Sequence, residues 1–314
     1  MMKEPLVSIA LCTYNGAAYL EQQLQTLLAQ TYQNLEVVVV DDSSTDNTWD
    51  ILTGYANNHP QFKIYKNEHN LGFVKNFERA AGLCNGELIA LCDQDDLWHP
   101  EKITLQVAAI EDNILIYHDS EFIHEDGTTM GKKVSDKMNF YRGSEPEVFL
   151  FFNCVSGHAI LMKRELLDDA LPLKESYFHD WWLAYVATNV GRIDFIPQCL
   201  VQYRQHDKSD TNMLRQKGRS DKYKQSSTQK IIRIQQWLGH CATFPKNRDP
   251  ELIKTFYEAF SQRVNSYISF ELSFLLFKYR KIIFYIRKKS KLNRLNYIYS
   301  QIWGVKTKNL YSAR

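Results

Sequence analysis

The sequence predicts an α/β fold: a mainly parallel central sheet covered by helices, followed by a helical C-terminal extension. Three observations predict it. Short apolar runs rich in β-branched residues alternate with helical patterns through the first half of the chain. Polar clusters follow the ends of those runs. Beyond about residue 211 the composition turns basic and the periodicity helical.

The first strand is expected at Leu6–Leu11. A helix follows over roughly Ala17–Gln30, with Tyr19, Leu20, Leu24, Leu27 and Leu28 on one face. Leu35–Val40 reads as the second strand and Asp46–Ala56 as the second helix, N-capped by Ser44 or Thr45. A strand near Phe62–Tyr65, a helix near Phe73–Leu83 and a strand near Leu88–Leu91 complete a βαβαβ order, which requires parallel pairing. Residues 113–160 read as further strands and turns, with a turn at Asp126-Gly127. A helix is expected from about Asp180, with strands near Arg192–Ile196 and Cys199–Arg204. Residues 208–229 are polar and basic and read as a linker, and the remainder as helices. The expected domains are 1–210, catalytic, and 211–314, a linker with a basic amphipathic helical region.

The composition fits a globular chain. Of 314 residues, 44% are hydrophobic and 24% charged, which excludes disordered, collagen-like and coiled-coil classes. Six scattered cysteines without a C-x-x-C pair predict buried free thiols in a reducing cytoplasm rather than a disulfide or zinc framework. Neither a signal peptide nor a transmembrane run of 18 apolar residues is expected. The net charge of +2 conceals an asymmetry. No acidic residue follows Glu271, while eleven Lys and Arg lie between Lys278 and Arg314. The first 271 residues therefore hold 27 basic against all 36 acidic side chains, a net of −9. An acidic body with a basic tail points to contact with an anionic surface.

Ligands of parallel α/β sheets bind beyond the carboxyl ends of the strands, where the polar clusters of this chain fall. Asp93-Gln94-Asp95-Asp96 places three carboxylates in four residues. Their mutual repulsion is relieved by Mg²⁺ or Mn²⁺, which prefer oxygen ligands shared with substrate phosphates; a solvated acidic turn capping a helix over Pro100–Glu111 is the other reading. Asp41-Asp42-Ser43-Ser44-Thr45-Asp46 suits either acceptance of a pyrimidine imide N–H or helix capping. In His179-Asp180-Trp181-Trp182 two large aromatics follow a carboxylate, a setting that raises its pKa and makes it a better base; the alternative is an N-cap beside core tryptophans. His206, in Tyr203-Arg204-Gln205-His206, is either a metal or phosphate ligand or a structural histidine.

Six stretches in order, V-S-I-A-L-C-T-Y-N-G from Val7, V-V-V-V-D-D-S-S-T-D-N-T from Val37, N-L-G-F-V-K-N-F from Asn70, G-E-L-I-A-L-C-D-Q-D-D-L-W from Gly86, H-D-W-W from His179 and Y-R-Q-H from Tyr203, resemble the family 2 glycosyltransferases of GT-A fold over residues 5–210. The last three motifs look most like the rhamnosyltransferase-type members. The resemblance implies a Rossmann-like nucleotide-binding domain and an inverting hexosyltransferase. It implies a dTDP- or UDP-sugar donor, Mg²⁺ or Mn²⁺, a glycan or lipid-linked saccharide acceptor, and a part in surface polysaccharide synthesis. It makes Asp180 the catalytic base and Asp95, Asp96 and His206 the metal ligands. Thr13, Tyr14, Asn15, Asp42, Asn70, Asp93 and Trp181 become nucleotide- and substrate-binding residues, with Tyr14 near the base and Asp42 on the pyrimidine. After His206 this chain carries Asp207-Lys208-Ser209 where relatives often carry Gly and Asn, so that loop is expected to differ.

Two other classes fit the residues less well. A nucleotidyltransferase needs a Gly-rich basic loop after the first strand, and Cys12-Thr13-Tyr14-Asn15-Gly16 has one Gly and no cation. A non-catalytic sugar-nucleotide-binding scaffold has no need of Asp95, Asp96 and Asp180. In the tail, Phe274–Lys291 interleaves aromatic and aliphatic residues with Lys and Arg. It reads either as one helix lying in an anionic membrane interface, at the inner face of the cell membrane, or as a helix packed on protein. Nucleic-acid binding is not expected, since no motif accompanies the charge.

Overall fold

The computed structural model describes residues 4–206 and 227–307. The expected linker, up to residue 226, and Asp207-Lys208-Ser209 lie outside the described residues. The chain divides into two compact units. One comprises 1–136, 142–144 and 155–206; the other comprises 137–141, 145–154 and 207–314.

The first unit runs β1 (Val7–Thr13), α1 (Leu20–Leu28), β2 (Leu35–Asp41), α2 (Thr48–Asn58), β3 (Phe62–Lys66), α3 (Phe73–Leu83), β4 (Leu88–Cys92), β5 (Leu97–Trp98), α4 (Lys102–Ile110), β6 (Leu115–Ile123), β7 (Thr129–Lys133), β8 (Leu161–Lys163), α5 (Leu166–Ala170), α6 (His179–Val190) and β9 (Ile193–Arg204). Among the described residues these strands form one sheet in the order β3-β2-β1-β4-β8-β6-β9-β5, with β7 on β6. The pairings β3-β2, β2-β1, β1-β4 and β6-β9 are parallel, and the short strands β5, β7 and β8 add antiparallel pairs. Helices cover both faces of β1, β2 and β4, which is why those strands are unbroken apolar runs buried along almost their whole length. Val7, Ile9, Val37, Val39, Leu88 and Ala90 pack with Leu20, Leu24, Leu52 and Ile103 in one core cluster.

Two local expectations are corrected. Neither Ser44 nor Thr45 caps α2. The Ser44 hydroxyl donates to Asp41 Oδ1 instead, and the Thr45 backbone N–H donates to Asn15 Oδ1 at 2.8 Å. The helix starts three residues later, at Thr48, where Asp46 accepts the backbone N–H at 3.0 Å. The two strands expected over 192–204 are one, β9. Pro197 offers no N–H to the ladder, and the pairing with β6 slips there, from Ile196 opposite His118 to Cys199 opposite Asp119.

The second unit consists mainly of α7 (Ser227–Ala242), α8 (Pro250–Val264), α9 (Glu271–Lys278), α10 (Arg280–Ile283) and α11 (Lys291–Ser300). Asp249 caps α8 by accepting the Leu252 N–H at 3.0 Å, with Pro250 in the first turn. Phe151 packs against Phe256 and Phe260, and the Trp237 indole donates to Leu150 O at 3.1 Å. The single helix expected over Phe274–Lys291 is broken at Tyr279 and again at Phe284. Packing explains the break. Leu272, Leu276 and Phe284 are all fully buried, yet on one straight helix Phe284 would lie about 120° around the axis from Leu272. No helix among the described residues is long and apolar enough to cross a membrane, and all six cysteines are free thiols.

One buried carboxylate ties the parallel half of the sheet together. Glu36 on β2 accepts hydrogen bonds from Ser8 Oγ on β1 (2.6 Å), Lys63 Nζ on β3 (2.5 Å) and the Asn85 N–H just before β4 (2.7 Å). Burial alone would raise its pKa, but the bonds from Lys63, Ser8 and Asn85 outweigh it and bring it down to about 2. A depressed acid stabilises the fold above its unfolded value of about 4, and the contribution is lost as pH falls through the folded value. Glu36→Gln is therefore expected to melt below wild type at pH 7, with the gap closing between about pH 4 and pH 2. Thermal unfolding of both chains across that range checks it; a gap that stays constant down to pH 2 removes the network from the account.

Candidate active site

The carboxyl ends of β1, β2 and β4 lie side by side, with Thr13 opposite Asp41 and Leu11 opposite Cys92. Each strand delivers one polar cluster to this edge. At the end of β1, buried Thr13 donates to Asp41 Oδ1 at 3.0 Å. Tyr14, which follows it, is 47% exposed. Its backbone N–H and C=O are both held by the Gln94 amide, at 2.8 and 3.1 Å, which clamps the β1 loop to the acidic loop after β4. Gly16 is required for this approach, because a Cβ there would run into Gln94 Oε1. Asn15 takes positive φ (48°) and donates its N–H to Ser44 Oγ at 2.9 Å.

At the end of β2, Asp42 is buried and fully engaged. Its carboxylate accepts from Asn67 Nδ2 and from the backbone N–H groups of Leu71 and Gly72, at 2.5, 2.8 and 2.9 Å. Asn70 reaches the Asp42 carbonyl at 3.3 Å. Asp42 thus organises the 67–72 loop from within.

The acidic loop is gripped from β9 by Arg204, which is 1% exposed. Its backbone N–H donates to Asp96 Oδ1 (2.9 Å), Nε to Asp95 O (2.8 Å), and the two terminal nitrogens to Glu125 O (2.6 Å) and Gln22 Oε1 (2.8 Å). This grip splits the expected metal trio of Asp95, Asp96 and His206. Asp96 is pulled inside, with no exposed surface, and its Oδ2 lies 3.5 Å from His158 Nδ1 without a hydrogen bond. Asp93, Asp96 and His158 form the inner donor group. Asp95 turns outward, where its Oδ2 meets His206 Nε2 at 2.6 Å beside the Tyr19 ring. Burial, then the charges of Asp95 and Asp93, push the Asp96 pKa well above the carboxylate range. An ion shared with a substrate phosphate needs ligands that a phosphate can reach. Within the inner group Asp96 and His158 are closed off, while Asp93 keeps 38% of its side chain exposed; the Asp95–His206 pair, one carboxylate and one imidazole, offers a donor set that fits a divalent ion of the Mn²⁺ type.

Asp180 stands in the first turn of α6, beside the turn at Gly157–Ala159 that carries His158. A Cβ on Gly157 would press on His179 Nε2 at 2.9 Å, so that turn and the start of α6 are in close contact. Asp180 is partly exposed. Burial raises its pKa to about 7, Asp93 adding to the effect and the backbone N–H groups of Trp181 and Gly157 opposing it. Trp181 is half-buried next to it, while Trp182 is core and donates to Ala170 O at 2.8 Å.

Residues 8–171 match the pattern described as Glycosyl transferase family 2. The chain belongs to glycosyltransferase family 2. An uncharacterised glycosyltransferase of Rickettsia typhi is 29% identical over 95% of this chain and 96% of its own length. One of Haemophilus influenzae is 27% identical over 64% of this chain, and the match spans 66% of that protein. Among solved structures, Staphylococcus aureus TarS in complex with UDP-GlcNAc has a TM-score of 0.58 at 16% identity, covering 94% of this chain and 87% of that one. A Pyrobaculum calidifontis mannosyltransferase in complex with GDP-Man and Mn²⁺ has a TM-score of 0.55 at 18% identity, covering 95% and 80%. At such identities the likeness is one of fold, the GT-A fold.

Three residues of this family 2 site carry little signal in the sequence. Arg204 stands in Tyr203-Arg204-Gln205-His206, where the histidine draws attention, although an Arg closing an apolar strand is itself a signal of a buried anchor. Gln94 sat between conspicuous carboxylates. His158 had no signal, because its partners Asp93 and Asp96 are more than sixty positions away.

The split of the acidic loop is testable by stability. Asp96→Ala leaves the Arg204 N–H buried without an acceptor and is expected to cost about 1–3 kcal/mol. Asp95→Ala removes the His206 pair but leaves every Arg204 bond to the loop in place, and is expected to cost less, about 0.5–1.5 kcal/mol. Urea unfolding of the two variants checks this; equal losses would mean that Asp95 and Asp96 do the same job.

Proposed function

We propose that this chain transfers a sugar from a nucleoside-diphosphate donor to a hydroxyl of a glycan or lipid-linked acceptor, by a single inverting displacement. The observation that carries the reading is Asp180, a carboxyl whose pKa is raised to about 7 at the strand edge, within electrostatic reach of Asp93. A base that works near neutrality needs that value. The donors favoured are dTDP- and UDP-sugars. Rhamnose is the sugar favoured by the resemblance of D-Q-D-D-L-W, H-D-W-W and Y-R-Q-H, and surface polysaccharide is the favoured product. That TarS holds UDP-GlcNAc and the mannosyltransferase holds GDP-Man supports the donor class.

In this reading the exposed ring of Tyr14 stacks on the base. Asn15, Asn70 and Asp42 shape the pocket wall through the loops they tie, and Thr13 supports that wall from beneath. Asp93 faces the ribose or sugar. Asp95 and His206 would hold the metal, while Asp96 keeps the loop in place. When bound, Mg²⁺ or Mn²⁺ neutralises charge on the diphosphate leaving group. Asp180 accepts the proton of the acceptor hydroxyl as its oxygen bonds to the anomeric carbon. The bond from that carbon to the phosphate oxygen breaks, and its electron pair leaves with the diphosphate. Trp181 shields the base from water. No second carboxylate is assigned as a nucleophile, so the anomeric centre inverts.

Two measurements test this. UDP or dTDP is expected to bind more tightly in Mn²⁺ than in EDTA, and Asp95→Asn or His206→Ala should abolish the difference. Calorimetry reads it, and equal affinity in both buffers would take the metal out of the mechanism.

The second measurement concerns the base. Wild-type turnover is expected to rise with pH through about 7 as Asp180 loses its proton. Asp180→Asn should lower turnover roughly 10²–10⁴-fold while donor binding stays near wild type. Its stability should move the other way. Between about pH 4 and pH 7 folded Asp180 keeps a proton that the unfolded chain has released, so wild-type stability falls across that window. The Asn variant escapes this loss and should melt above wild type at pH 8. A variant that melts early and turns over normally would make Asp180 a helix-capping residue only.

A further inference from the structure

Twelve large hydrophobic side chains are exposed among the described residues, and ten of them lie between Tyr267 and Trp303 in the second unit. They are ordered. Helix α9 buries Leu272, Leu275 and Leu276 and turns Phe270, Phe274 and Phe277 outward, with 68%, 66% and 48% of their surfaces exposed. The spacing i, i+4, i+7 makes these three one stripe. Helix α11 repeats the arrangement. It buries Ile298 and exposes Leu292, Leu295 and Tyr299, spaced i, i+3, i+7. The two helices are neighbours, since Ser273 Oγ on α9 donates to Ile298 O on α11 at 3.1 Å. An antiparallel bridge between Ile268 and Trp303 joins the start of α9 to the end of α11.

The charge on the same stretch is one-sided. From Glu271 to Lys306 there are nine Lys and Arg and one acidic residue, Glu271 itself. Lys278, Lys281, Lys288, Lys289 and Lys291 are exposed. We propose that the outward stripes of α9 and α11, with the lysines around them, are a docking face for a bilayer rich in anionic lipid. Apolar side chains in two adjoining stripes exceed what a solvated surface carries by chance. Tyr267, Tyr299 and Trp303 supply rings with one apolar and one polar end, the kind that settle at headgroup level. The lysines meet the negative potential of such a surface. Charge decides against a second copy of this chain as the occupant, because that pairing sets two equally basic faces against each other. The face is discontinuous in sequence. Truncation after Ser273 would remove buried Leu276 and Phe284 from the core of this unit, so point substitutions are the proper probe. The inference is independent of the sugar-transfer reading.

The test is co-sedimentation of the full chain with vesicles of phosphatidylcholine alone, or of phosphatidylcholine and phosphatidylglycerol in equal parts. Binding is expected only to the second kind and should weaken as salt is raised. Phe274→Ser should weaken it roughly tenfold, and Phe270→Ser with Phe274→Ser roughly a hundredfold. Each of Lys288→Gln and Lys289→Gln should weaken it roughly fivefold. All these side chains are exposed, so melting curves should match wild type and loss of binding cannot be charged to unfolding. No binding to either vesicle, equal binding to both, or full binding by the phenylalanine variants overturns the proposal. So does a concentration-dependent dimer in gel filtration that Phe274→Ser dissolves, since a second copy would then own the face.

Discussion

A guanidinium buried in protein is costly unless every donor is answered. Arg204 answers its donors with groups from three separate segments: Asp95, Glu125 and Gln22. Its own backbone N–H holds Asp96 at 2.9 Å, and its charge lies over the Tyr19 ring. The shape of the site depends on this. Because β9 pairs in parallel with β6 right up to Arg204, the side chain arrives at a fixed height beside the acidic loop. That height decides which carboxylate goes in and which goes out. His206, two residues on, comes down on the outward one.

Environment then divides labour among chemically identical groups. Glu36 and Asp180 are both carboxylates with buried surface, and their pKa values move in opposite directions. Three hydrogen-bond donors, one of them a lysine, bring Glu36 to about 2. Asp180 has two backbone donors and the like charge of Asp93, so burial wins and its pKa stands at about 7. Asp41 and Asp42 illustrate a third outcome, in which the carboxylate is consumed in building loops. Asp41 accepts from Thr13, Ser44 N and Ser44 Oγ, and Asp42 from Asn67, Leu71 and Gly72. The loops at this edge are thus tied by charged acceptors as well as by packing.

The second unit follows a different principle. Its interior is aromatic, with Phe151 against both Phe256 and Phe260, and Phe284 against Tyr297. After α8 the helices shorten to ten residues or fewer, and the chain turns between them to bury Leu272, Leu276 and Phe284. The same turns leave whole stripes of apolar residues facing out, in a segment that has almost no acidic residues to balance its lysines.

What the sequence by itself determined is what depends on near neighbours. The apolar runs at Leu6, Leu35 and Leu88 and the helical periods after Tyr19 and Phe73 depend on spacings of two to four residues, and the elements fall where those spacings put them. Parallel pairing follows from their alternation, and with it the gathering of Tyr14, Asp42 and Asp93 at strand ends on one edge. Tertiary structure alone decided who partners whom. Ser44 reads as a cap by every local rule, yet its hydroxyl is claimed by Asp41 and its oxygen by the Asn15 N–H, because β1 ends beside β2. Asp95 and Asp96 are indistinguishable in sequence and are separated by an arginine more than a hundred positions away. The basic tail interleaves apolar and basic residues and reads as one helix, and it breaks because Phe284 must be buried as Leu272 is. A hydrogen bond or a core contact forms wherever the folded chain brings two groups together, and local spacing carries no record of contacts that distant.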